Sequence, residues 1–95
     1  MRDWICHAHP KLREWVISKA RSEYPGLLQS FDAACNHAAD DANWGDVSGK
    51  YAFVEYLPGQ HPLTYPIILK LRVESPYITA VAMVVERENL SYRVE

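Results

Sequence analysis

Thiols and imidazoles are the side chains zinc prefers, and five of them fall in two short stretches: Cys6, His7 and His9 near the start, Cys35 and His37 further on. Whether they can share an ion depends on the backbone that carries them. Positions 35 and 37 lie in a segment of helical periodicity, where each residue turns by about 100°, so their side chains point about 200° apart. Cys35 then joins an apolar stripe as a small buried thiol and His37 faces water. Cys6, His7 and His9 alone lack a fourth protein ligand, so no metal is expected. The acidic run Asp40-Asp41-Ala42-Asn43-Trp44-Gly45-Asp46 has the composition of a calcium loop without its spacing. Counted from Asp41, glycine comes at the fifth position instead of the sixth, and the twelfth is Ala52 instead of glutamate. It reads as a helix end and a turn. With no Gly-x-Ser-x-Gly elbow, no Gly-x-Gly-x-x-Gly turn and no phosphate loop, the sequence names no catalytic residue and no cofactor.

The remaining chemistry is that of surface contact. Six tyrosines and three tryptophans in 95 residues are more aromatic area than a small core hides, and such residues are enriched at protein interfaces. Trp15 and Phe53 are expected in the core. Tyr56 and Tyr65 border a proline-punctuated loop, residues 58–66, that contains His61. All three are expected to be accessible there and are candidate binding residues. Lys70, Arg72 and Arg93 are further candidates, as a cationic patch on the outward face of a sheet.

The elements that must position these groups follow from periodicity. Pro10 opens a first helix, at the position where a missing N–H costs no hydrogen bond, with Leu12, Trp15 and Val16 recurring on one side. Tyr24-Pro25-Gly26 ends it. A second helix spans residues 27–42, with Leu27, Leu28, Phe31, Ala34, Cys35, Ala38, Ala39 and Ala42 on the apolar side and Gln29, Ser30, Asp32, Asn36, Asp40 and Asp41 opposite. From Lys50 the period becomes two. Ile67, Leu69, Leu71 and Val73 alternate with Lys70, Arg72 and Glu74, so one face of that strand meets a core and the other meets water. Residues 77–87 are apolar on both parities and predict a central strand, entered through a turn at Ser75-Pro76 and left through Glu88-Asn89 into residues 90–95. Residues 50–57 supply the remaining strand.

The expected fold is therefore α+β in one domain, residues 1–95: two N-terminal helices packed on one face of a mostly antiparallel sheet of about four strands. The net charge of -2 and the pI of about 6.1 disfavour nucleic acid as a partner, because phosphate neutralisation needs excess Lys and Arg. The N-terminal run MRDWICHAHPKLREW lacks a signal peptide's apolar stretch, and nothing reaches the ~20 apolar residues of a membrane span. The expected setting is cytoplasmic, with Cys6 and Cys35 as reduced thiols. The expected partner is another protein, a second copy of the chain included. The function expected first is a non-enzymatic protein-binding module, a small inhibitor or adaptor from a phage or mobile element, similar in size and charge to the anti-CRISPR inhibitors.

The alternative comes from layout. Two helices on a small antiparallel sheet, with Lys70, Arg72, Arg87, Tyr92 and Arg93 late in the chain, resemble the RelE and HigB ribosome-associated toxins over about two thirds of the sequence. That resemblance implies an endoribonuclease in which Lys70, Arg72 and Arg93 hold phosphate and Tyr92 or His61 transfers a proton.

Overall fold

The computed structural model of the chain describes residues 4–40, 44, 49–56 and 65–95. Its elements run β1 (Ile5–Ala8), α1 (Pro10–Ser22), α2 (Leu27–Asp40), β2 (Tyr51–Tyr56), β3 (Ile67–Glu74), β4 (Tyr77–Val85), a 3-10 turn (Glu86–Glu88) and β5 (Leu90–Arg93). The architecture is α+β, with the helices ahead of a mostly antiparallel sheet. The sheet has five strands, ordered β1-β4-β3-β2, with β5 also on β4. The strand that periodicity does not reveal is β1, whose four residues are too few to show a period. It pairs parallel with the first half of β4, Ile5 beside Tyr77 and Ala8 beside Ala80. The second half of β4 pairs antiparallel with β5, from Ala82 beside Arg93 to Val85 beside Leu90. One side of β4 thus carries two strands in succession.

Both helices begin where local chemistry predicts, and residues 41–42, expected in α2, lie outside the described residues. Pro10 is the first residue of α1, and the His9 ring nitrogen Nδ1 accepts from the Lys11 backbone N–H at 3.1 Å, capping one orphan donor. Gly26 has φ +89°, a conformation that glycine adopts freely, and it turns the chain directly into α2. Leu12 and Val16 of α1, and Leu27, Phe31, Ala34, Cys35 and Ala38 of α2, are buried against Ile67, Leu69, Leu71 and Val73 of β3 and Ile78, Ala80, Met83 and Val85 of β4. Ser30, expected on the wet side of α2, is buried as well. Positions 27, 30, 31, 34, 35 and 38 are a single i, i+3, i+4 stripe, and the Ser30 hydroxyl accepts the Tyr65 backbone N–H at 3.3 Å. Trp44 is also buried, and its indole N–H donates to the Ala38 carbonyl at 2.7 Å, satisfying an acceptor near the end of α2. Trp44→Phe removes this bond together with the pyrrole portion of a buried indole. It should lower the free energy of unfolding by about 2–3 kcal/mol, read from the shift of the denaturant midpoint.

The central strand is covered on both faces, as its composition predicts. The register with β3 shifts between Lys70 and Leu71, leaving Val81 as an extra residue on β4. A bulge of this kind reverses the side-chain alternation, which is why Ile78 and Ala80 before it, and Met83 and Val85 after it, all face the helices. On the other face Thr79, Val81 and Ala82 are buried, Thr79 beside His7, and the backbone N–H groups of Val94 and Glu95 both reach the Val81 carbonyl. No helix among the described residues is long and apolar enough to cross a membrane.

Candidate functional site

The helices cover one face of the sheet. The other face is set by strand parity: β2 sends Ala52, Val54 and Tyr56 toward the core, so Tyr51, Phe53 and Glu55 point away. Cross-strand partners share a face. Opposite Tyr51 lies Arg72, opposite Phe53 lies Lys70, and opposite Glu55 lies Ile68. The same face continues across β4 to Tyr77 and Thr79, and then to Ile5 and His7 on β1. Four large apolar side chains stand exposed in the described structure: Ile5 at 51%, Tyr51 at 48%, Phe53 at 70% and Tyr77 at 47%. All four are on this face. Phe53 corrects an expectation, since period two on β2 gives the core to its neighbours and leaves the ring in water.

At the centre of the face, Glu95 ties three strands together. Its carboxylate accepts the Tyr51 hydroxyl at 2.9 Å and pairs with the Arg72 guanidinium. Its backbone carbonyl accepts from Lys70 Nζ at 3.0 Å. Lys70 also lies 4.4 Å above the Tyr51 ring, within cation–π range, and Arg72 Nε lies 2.9 Å from a Glu74 carboxylate oxygen. The Tyr51 hydrogen bond, followed by that of Arg72, holds the Glu95 carboxyl below its ordinary range. Because the folded chain favours the charged form, Glu95 adds stability above the unfolded carboxyl pKa of about 4.3, and that contribution disappears as pH falls through the lower folded value. Glu95→Gln should therefore flatten the acid limb of a stability–pH profile measured between about pH 5 and 2. Superimposable acid limbs for the two proteins would refute this coupling.

No family model, curated protein or solved structure matches the chain.

The candidate binding residues divide into two groups. Lys70, Arg72 and Arg93 do share the face opposite the helices, with Arg93 beside Ala82. Tyr56 does not reach it. It is the last residue of β2, only 8% exposed and stacked 6.0 Å from the His37 ring. His37 is half-buried there, not fully in water. Tyr65 is half-buried too. Its hydroxyl donates to the Pro25 carbonyl at 3.2 Å and its ring meets Tyr24 edge-on, so it braces the turn between the helices. The expected exposure of these two tyrosines fails because both sit at strand or turn ends that fold inward. His61 lies outside the described residues.

Tyr92, one of the two proton-transfer residues implied by the toxin resemblance, lies on the helix side and stacks on Trp15 at 5.2 Å. The alternation of β5 places it opposite to Arg93. Trp15 is accordingly packed against the core, as expected, although not fully buried. His7 Nε2 is 2.8 Å from the Thr79 hydroxyl, and its ring stacks on Tyr77 at 5.8 Å. His7 therefore belongs to the face opposite the helices while Cys6, one residue back, belongs to the core side. No three His, Cys, Asp or Glu side chains among the described residues gather as a metal site would require. The residues that sequence reasoning missed, Ile5, Tyr51, Phe53 and Tyr77, are signalled only by parity. Once Ala52, Val54 and Tyr56 are taken as the inward set of β2, Phe53 must point out.

Proposed function

We propose that the chain is a non-enzymatic binding module that docks a partner protein on the sheet face opposite the helices. The observation that carries this reading is Phe53, a ring 70% exposed on an edge strand, with Tyr51, Tyr77 and Ile5 on the same surface. Large aromatic side chains that become buried in a partner's pocket supply much of the binding energy of protein interfaces. The hydrogen-bonded Glu95 centre supports the same reading, because it fixes Tyr51, Lys70 and Arg72 before a partner arrives and so lowers the ordering cost of binding. A partner of matching chemistry presents an apolar patch with a carboxylate at its rim for Arg93. A small inhibitor or adaptor, of the kind a phage or mobile element encodes, acts through a surface of this type.

The endoribonuclease reading draws less support from the geometry. It needs free cations, and Arg72 is already engaged by Glu95 and Glu74, while Tyr92 lies on the opposite side of the sheet.

Photo-crosslinking tests the module directly. A photoreactive phenylalanine at position 53 should yield one discrete protein adduct in host lysate, and the same group at the exposed helix position Gln29 should not. Adducts of equal pattern from both positions, or none from position 53, would reject the docking face.

A further inference from the structure

Cys6 and Cys35 lie on the helix-covered side of the sheet, so their chemistry does not depend on the docking face. Cys6 sits on β1 beside Ile78 of β4, and both face the helices. Cys35 sits on α2, one turn after Phe31. Each thiol is the first influence on the ionisation of the other, and both cysteines are free. Both also line an open cavity of about 500 Å³, together with His7, Arg13, Asp32 and Asn36. Two thiols that line one open cleft are more than a pair of core residues, since a small molecule in the cleft can reach Cys6.

We propose that Cys6 and Cys35 form a thiol–disulfide exchange site whose substrate is a small disulfide of the glutathione class. The Cys6 thiolate attacks one sulfur of the incoming disulfide and that S–S bond breaks. The first small thiolate leaves and takes up a proton, and a mixed disulfide remains on Cys6. Cys35 then gives its proton to solvent, and its sulfur attacks the Cys6 sulfur. The mixed disulfide breaks and the second small thiolate leaves, again taking up a proton. Two protein thiols and one small disulfide become one protein disulfide and two small thiols, and two electrons pass from the protein to the substrate. The product bond joins β1 to α2.

The environments of the two cysteines assign these roles. Cys6 is the more accessible of the pair, and the Cys35 thiol holds it below the ordinary value, against the opposing effect of burial. Cys6 in turn, reinforced by burial and by nearby Asp32, pushes Cys35 upward. The attacking sulfur in such exchange is the one that more readily becomes a thiolate, which is Cys6. Arg13 and Asp32, paired at 2.8 Å, place one charge of each sign on the cavity wall, complementary to a peptide disulfide that carries both carboxylates and ammonium groups.

Oxidised glutathione is the probe, with intact-protein mass spectrometry and peptide mapping of the full chain as readouts. Wild type should lose two hydrogens and yield a linked Cys6–Cys35 peptide. Cys35→Ser should stop with one glutathione on Cys6, and Cys35→Ala should behave identically, which separates the chemistry from any effect of the serine on packing. Cys6→Ser should react at least ~10-fold more slowly, since Cys35 alone is buried and disfavoured as a thiolate. An unreactive wild type, a wild type that keeps its glutathione or crosslinks two chains, or a Cys6→Ser protein as fast as wild type would each overturn the assignment.

Discussion

Phe31→Ala should lower the free energy of unfolding by about 3–5 kcal/mol. The ring is fully buried in the cluster formed by α2, β3 and β4. Its removal loses both the transfer of an aromatic side chain out of water and the contacts around the space left behind. Small domains have about 5–15 kcal/mol in total, so the variant should approach the limit of folding at room temperature. Asp32, one residue along, provides the contrast. It pairs with Arg13 at 2.8 Å, but both side chains are nearly half exposed, and exposed pairs contribute about 0–1 kcal/mol. Chemical denaturation of both variants measures the difference. Similar midpoints for Phe31→Ala and Asp32→Ala would mean that the register of α2 is wrong, and with it the placement of Cys35 beside Cys6.

Phe53→Asp should behave in the reverse sense. The ring makes little contact with the rest of the chain, so the variant should unfold within about 0.5 kcal/mol of wild type. Its affinity for the crosslinked partner should nevertheless fall at least ~30-fold, the loss expected when an interface anchor worth about 2 kcal/mol or more is removed. Calorimetry on the purified pair, alongside thermal unfolding of the variant alone, reads both quantities. Unchanged affinity would end the docking proposal. A large loss of stability would show instead that Phe53 belongs to the core. Tyr65→Ala is a suitable control, because Tyr65 braces the turn between α1 and α2 and should affect stability without a specific effect on binding.

Much of the fold is legible in the residues themselves. The alternation from Ile67 to Val73, the helical stripe through Leu27, Phe31, Cys35 and Ala38, and the punctuation at Pro10 and Gly26 are local signals. Each reflects one element satisfying its own backbone and gathering its apolar side chains on one face. They are enough to specify two helices over an antiparallel sheet. They also place Lys70 and Arg72 together on the outer face, since residues two apart on a strand share a side. Tertiary structure decides what local pattern cannot. β1 exists as a strand because β4 offers it a free edge, and four residues carry no period of their own. Tyr56 and Phe53 exchange their expected roles because an isolated aromatic on a strand can face either way, and only the packing of Ala52 and Val54 against the core selects the parity. Glu95 meets Tyr51, 44 positions away in sequence, and Cys6 and Cys35 line one cleft, because the fold brings distant segments together. The candidate site and the thiol pair both depend on such long-range contacts, which no short window of sequence encodes.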